Sequence, residues 1–302
     1  MRRFAVMASR EWALALHGGA GGRVEELAVQ GPGAYEEGLA DAYAAGEALL
    51  EAGATAYDAV CLVVQHLEDN PLFNAGRGAA LTRQGTVELD AAVMTGDGRA
   101  GAVTLSRWAR NPVLAARQVR EEGDCVLWAR PPREVIEAWG LECAEQSYFL
   151  TPGREQQLRN VQAQLSPAIA HGTVGAVARD RAGNLAAATS TGGTVNRVVG
   201  RIGDSPVIGA GTYARDGVAA ISCTGYGEAF LQGVVAHEIA ARVCHGRTPL
   251  ASAVTDVLRT EVGARGATGG VIAVGADGQI VVAHNSPAMY AAYHDDAVVI
   301  LT

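Results

Sequence analysis

Apolar residues along the chain recur at two spacings. From Ala34 to Ala52 they follow a 3.6-residue period, with Leu39, Ala42, Gly46, Leu49 and Leu50 on one stripe. That predicts a helix stopped by Gly53. A second helix opens at Thr55, with Asp58 three residues on as a capping-box-like partner, and ends before Asn70-Pro71. Its apolar face is Ala59, Val60, Val63, Val64 and Leu67. Short apolar runs read instead as strands: Trp12 to Leu16, ending at His17-Gly18-Gly19, then Val174 to Arg179, Leu185 to Ser190 and Val218 to Cys223. A hairpin is expected around Gly85, from Ala79–Thr82 back through Thr86–Val93. Residues 107–150 read as broken helix, and the polar, Gln-rich stretch from Thr151 to Ser166 as a linker. Glu228 to Val243 is expected to be one helix, and Thr248-Pro249 opens another faced by Val254, Val257 and Leu258. Three closing strands are expected at Gly270–Val274, Gln279–His284 and Ala297–Leu301.

Helices come first and strands bracket them in both halves of the 302 residues. An α+β architecture with two sheets between helical layers, αββα, suits that order better than regular βαβ alternation. The 49% apolar content is enough for a large buried core, and the 38 glycines are scattered among apolar runs rather than gathered in a linker. A net charge of −8 without clustered Lys and Arg argues against nucleic-acid binding. The five cysteines form no CxxC pair, which points to reduced thiols and a cytoplasmic protein. The first residues lack the apolar core of a secretory signal, and no run approaches the roughly 18 apolar residues of a membrane span.

Chemistry concentrates at His171-Gly172-Thr173-Val174-Gly175. A small Gly precedes a Thr that opens an apolar strand, a pattern that by itself also describes a loop entering a strand. Other motifs accompany it. Upstream stand His17-Gly18-Gly19-Ala20-Gly21 and Asn70-Pro71-Leu72-Phe73-Asn74-Ala75-Gly76; downstream come Thr189-Ser190-Thr191-Gly192-Gly193, Gly200-Arg201-Ile202-Gly203-Asp204 and Thr224-Gly225-Tyr226-Gly227-Glu228. In this order, and over nearly the whole chain, the set resembles the plant-type asparaginase and isoaspartyl-peptidase family of N-terminal-nucleophile hydrolases.

The resemblance implies one four-layer αββα domain that cuts itself between Gly172 and Thr173 into residues 1–172 and 173–302. A Thr hydroxyl can attack the preceding carbonyl to form an ester that water hydrolyses. The α-amine so freed has a reference pKa of about 7.7–8.0 and can act as base for the same residue's hydroxyl. No catalytic cofactor is then needed. By resemblance, Thr191 assists Thr173, while Thr224 and Gly225 form the oxyanion hole. Arg201 and Asp204 clamp the substrate, with Gly225, Gly227 and Asn74 as further contacts. Arg offers a planar fork to a carboxylate, and Asp pairs an ammonium. Together they select a free α-carboxylate and a free α-amine on one residue. L-Asparagine and β-aspartyl dipeptides keep both groups; an ordinary peptide bond consumes one.

The segment Leu67 to Arg77 resembles the family's sodium-binding loop, with the carbonyls of Leu67, Glu68, Asn70, Phe73, Ala75 and Arg77 as ligands. An (αβ)₂ assembly of processed protomers is implied as well. Other signals fail: His237-Glu238 lacks the second His of a zinc-protease helix, and Gly18 to Gly22 is no dinucleotide fingerprint. His17 and His171 read as structural or linker residues. Tyr226 fills a variable position inside its motif, next to the expected site. Two rivals stand beside the main reading. One is a glycosylasparaginase, disfavoured by Thr-Gly-Gly and His-Gly-Thr where Thr-Asn-Gly and His-Asp-Thr would be expected. The other is a non-catalytic amino-acid-binding relative.

Overall fold

The computed structural model describes residues 1–8, 10–21, 32–164, 172–295 and 297–301. The chain begins with β1 (Arg2–Met7) and β2 (Ala13–Gly21), then α1 (Pro32–Glu51) and α2 (Ala56–Asp69). Next come β3 (Leu89–Thr95), β4 (Ala100–Ser106), α3 (Pro112–Glu122), β5 (Leu127–Ala129), α4 (Arg133–Ala138), α5 (Gln146–Phe149) and α6 (Pro152–Gln162). The second half carries β6 (Val174–Arg179), β7 (Leu185–Thr191), β8 (Thr212–Arg215), β9 (Ala219–Gly225), α7 (Gly227–Gly233), α8 (Val235–Cys244) and α9 (Leu250–Val257). It closes on β10 (Gly269–Gly275), β11 (Gln279–His284), β12 (Ala288–Asp295) and β13 (Ala297–Leu301).

The strands form two sheets, one ordered β1-β11-β10-β9-β8 and the other β13-β12-β2-β6-β7-β3-β4-β5. Among the described residues every pairing between these strands is antiparallel except β4 with β5. Leu39, Val60, Val63 and Val113 from α1 to α3 bury against Leu14, Val93 and Ala176 of the larger sheet. Phe230, Ile239 and Val254 from α7 to α9 bury against Ile221 and Val271 of the smaller one. A third apolar cluster joins the sheets: Ala15, Val177 and Ala187 from the larger with Ala220, Ile272 and Val274 from the smaller. Among the described residues no helix is long and apolar enough to cross a membrane. All five cysteines are free thiols.

Thr55 caps α2 as expected, its hydroxyl accepting the Asp58 N–H at 3.1 Å. Elsewhere the local pattern misleads. The expected linker is the helix α6 as far as Gln162; Thr151 caps it and Pro152 opens it. Its surface position hides the periodicity, since only Leu158 is fully buried, and residues 165–166 lie outside the described residues. The expected helix from Glu228 to Val243 breaks at Val234, which adopts φ 45°. There the N–H groups of Ala236 and His237 bond the carbonyls of Ala210 and Gly209 at 3.1 and 2.7 Å, which sets α8 on a new course. The turn at Gly85 forms, with Thr82 N–H bonded to the Thr86 carbonyl at 2.9 Å, but its arms are not paired strands. The hairpin is instead β3–β4, and Thr82 bridges Arg197. The strand expected to end at Leu16 continues through the glycines to Gly21, because β12 pairs with it as far as Gly21.

Candidate active site

Thr173 stands immediately before β6, between β2 and β7 in the larger sheet. It is 7% exposed, and its hydroxyl donates to Thr191 Oγ1 at 3.1 Å. Thr191 ends β7, and the β6–β7 register pairs Val174 with Ser190, which brings the two threonines together. Thr191 Oγ1 also accepts the Gly193 N–H at 2.9 Å and lies 3.3 Å from the Gly172 carbonyl oxygen, to which it donates. The Gly172–Thr173 peptide therefore has the Thr173 hydroxyl, the Thr191 hydroxyl and its own carbonyl in one short circuit.

Asn74 completes that circuit in a way the sequence did not indicate. It was expected as a substrate contact, but its Nδ2 donates to the Gly172 carbonyl at 2.6 Å and to the Gly193 carbonyl at 2.7 Å. Its Oδ1 accepts the Ala80 N–H at 2.6 Å, which orients the amide. The Gly172 carbonyl oxygen thus has two donors aimed at it. Gly19 backs it from the other side at φ +123°; a Cβ there would lie 2.8 Å from Gly172 Cα. His171 lies outside the described residues.

A narrow, partly open cleft lies above Thr173, and Thr191, Arg201, Asp204, Gly225 and Gly227 contribute to its walls. Arg201 directs Nε and Nη2 at Glu228 Oε1, at 3.0 and 2.8 Å. Asp204 is 4% exposed, and its Oδ2 has no hydrogen-bond partner. Burial pushes its carboxyl up to about 7, against weaker opposing contributions that include the Arg201 charge. Gly227 lets α7 approach both groups, since a Cβ there would sit 2.7 Å from Asp204 Oδ1 and 3.0 Å from Arg201 Nη2. Thr224 is fully buried, and its hydroxyl accepts the Ala20 N–H at 3.1 Å, which leaves its proton free to donate. Gly225 holds φ +140° against Gly269, where a Cβ would meet Cα at 2.4 Å.

Several neighbours were assigned no role from the sequence. Ser205, with a buried and unpartnered hydroxyl, lines the cleft beside Asp204, and so do Gly193, Thr194 and Gly203. Glu88 is buried beneath this loop: its Oε2 accepts the Gly200 N–H at 2.8 Å, and its Oε1 pairs Arg107 and Arg130. Buried Arg197 donates to the carbonyls of Gly192 and Glu88. A charged residue in a Gly-rich loop was the available signal, but only contact makes it specific.

The loop after α2 closes on itself. Arg77 N–H bonds the Glu68 carbonyl at 2.7 Å and Phe73 N–H the Asn70 carbonyl at 3.3 Å. Gly76 presses so tightly on this turn that a Cβ would lie 2.5 Å from the Glu68 oxygen. Backbone carbonyls are the donor chemistry a hard cation takes, but those of Glu68 and Asn70 already accept backbone N–H groups here. No group of three or more His, Cys, Asp or Glu side chains could hold a metal among the described residues.

A family model described as asparaginase matches residues 10–301. The chain is 43% identical to the isoaspartyl peptidase of Salmonella typhimurium, over 93% of this chain and 94% of that protein. It is 42% identical to the isoaspartyl peptidase of Escherichia coli, over 93% and 92%. An isoaspartyl peptidase/L-asparaginase of Xenopus laevis is 37% identical over 94% and 92%. A match of that extent, to a chain whose ordered motifs converge on one cleft, makes this protein a member of the asparaginase family.

Proposed function

We propose that the chain is a self-cleaving threonine hydrolase acting on the side-chain amide of L-asparagine and on β-aspartyl dipeptides. The observation that carries the reading is the circuit at Gly172-Thr173. Thr173 Oγ attacks the Gly172 carbonyl carbon, and its proton leaves toward Thr191 Oγ1, to which it is already bonded. Asn74 and Thr191 stabilise the resulting oxyanion. The C–N bond breaks as the amine takes a proton, and water hydrolyses the ester to release residues 1–172. The new α-amine of Thr173 then serves as base for the same hydroxyl.

In turnover the substrate α-carboxylate pairs with Arg201 and the α-ammonium with Asp204, so the side-chain carbonyl faces Thr173. Thr224 Oγ1–H and the Gly225 N–H receive the developing charge. Attack forms an aspartyl ester, ammonia or the second amino acid leaves, and water regenerates Thr173 and frees aspartate. The two sheets with helices on their outer faces are read as the four-layer αββα arrangement of a single domain. A sodium ion held by the carbonyls of the Leu67–Arg77 loop would fix Asn74, which sits within it. An (αβ)₂ assembly and a cytoplasmic location belong to the same reading. Intact-mass analysis of purified protein, with hydrolysis assays on L-Asn and β-Asp-Leu, tests it. Two fragments with the second starting at Thr173 are expected, and both substrates should turn over. A single uncut chain that binds aspartate without turnover would mean an amino-acid-binding relative instead.

A further inference from the structure

A chain of buried hydroxyls runs between the two sheets, ending under the nucleophile's strand on one side and at the substrate clamp on the other. On β2, His17 pairs in register with Gly175 of β6, so its ring lies over the glycine. Thr173 precedes that glycine by two residues. A Cβ at Gly175 would lie 2.6 Å from His17 Nε2 and 2.1 Å from Ser222 Oγ, so the space a side chain would fill holds a hydrogen bond instead. His17 Nε2 is 2.8 Å from Ser222 Oγ, and Ser222 Oγ is 2.8 Å from Thr189 Oγ1. Thr212 Oγ1 reaches Thr189 Oγ1 at 2.7 Å and the Ser205 carbonyl at 2.9 Å. His17, Thr189, Ser205, Thr212 and Ser222 are all fully buried.

The members come from β2 and β7 of the larger sheet and from β8 and β9 of the smaller, and the last contact is to the residue after Asp204. Apart from the Ala20 N–H to Thr224 Oγ1 bond, most of the remaining contact between the sheets is apolar and rich in alanine, which holds by area and has no preferred register. A row of directional bonds across it does have one.

We propose that the His17–Ser222–Thr189–Thr212 chain is a positioning element that sets the distance between Thr173 and the Asp204–Ser205 end of the clamp. This rests on the hydrolase reading above, because only a bound aspartyl group spans both ends. Self-cleavage needs only Gly172, Thr173 and their immediate donors and not their distance from Asp204, so a break at Thr189 or Ser222 leaves it intact. His17 takes part as a neutral imidazole: burial holds it down at about 3, only partly offset by the Thr173 backbone. A misplacement of about 1 Å between reacting groups can cost a hundredfold in rate.

The test uses Thr189→Val, which keeps shape and removes the hydroxyl, with Thr189→Ser restoring it and Ser222→Ala cutting the chain one link away. Each is assayed for extent of self-cleavage and for kcat and KM on β-Asp-Leu and L-Asn. We expect Thr189→Val and Ser222→Ala to mature fully and to lose about ten- to hundredfold in kcat, with KM within about threefold of wild type. Thr189→Ser should recover most of the loss. Wild-type kcat in both broken variants overturns the proposal. So does a loss shared equally by Thr189→Ser, or one confined to KM. If the wild-type protein itself hydrolyses neither substrate, the underlying hydrolase reading fails, a different result from an active wild type with unaffected variants.

Discussion

Replacing Asn74 by Asp tests the cleavage geometry at a single atom. The carboxylate keeps an oxygen where Oδ1 accepts the Ala80 N–H at 2.6 Å, so the side chain remains anchored. The Nδ2 donor becomes an oxygen facing the carbonyls of Gly172 and Gly193, formerly 2.6 and 2.7 Å away. Loss of one oxyanion donor costs about 10²–10³ in rate, or roughly 2.7–4 kcal/mol. Thr191 cannot make up the difference, because its contact with the Gly172 oxygen is 3.3 Å, beyond the usual 2.5–3.0 Å of a hydroxyl bond. Repulsion between the new oxygen and the two carbonyls pushes the effect toward the upper end. The assay follows the uncut chain by denaturing electrophoresis after purification, well below the melting temperature of the variant. Asn74→Asp should mature at least about a hundredfold more slowly than wild type. Maturation at the wild-type rate by a folded variant would refute the assignment of Asn74 to the scissile carbonyl.

Three further outcomes follow from the same site. Thr173→Ala should remain one inactive chain of 302 residues by intact mass, whereas Thr173→Cys should still cleave, since a thiol is also a nucleophile, and turn over substrate poorly. Arg201→Ala should leave maturation intact and lower kcat/KM on L-Asn and β-Asp-Leu together by about ten- to hundredfold, the value of a charged hydrogen bond of about 1.5–3 kcal/mol; a wild-type rate on β-Asp-Leu would place the carboxylate elsewhere. For pH, the free enzyme's Asp204 is neutral below about 7 and cannot pair an ammonium there, so kcat/KM should rise with pH through that value. Asp204→Asn should be slow throughout and lose the limb near 7, keeping only the rise of the Thr173 α-amine, whose reference pKa is about 7.7–8.0; a profile unchanged in height and shape would remove Asp204 from ammonium binding.

Much of the fold was legible because period and punctuation agree. The α2 face and its Thr55 cap, the β6–β7 strands and the closing strands β10, β11 and β13 all declare themselves locally. The site candidates are legible in another way: Thr173, Thr191, Arg201 and Asp204 stand out only through the resemblance of the whole ordered motif set, since a Gly-flanked Thr by itself also describes a loop entering a strand. What they could not declare is partnership. Asn74 and Gly172 are 98 residues apart, and only the closure of the loop after α2 against β7 turns an amide into a donor to that carbonyl. His17 looked like the end of a strand, yet pairing with β12 carries the strand onward to Gly21, and the ring lies beside Ser222, 205 residues away. Val234 breaks a continuous apolar helix pattern because distant carbonyls claim the N–H groups of the next turn. Local sequence determines which backbone each segment prefers and which groups are chemically capable. The register of one strand on another decides which of those groups meet, and burial then decides their charge, as it does for the Asp204 carboxyl.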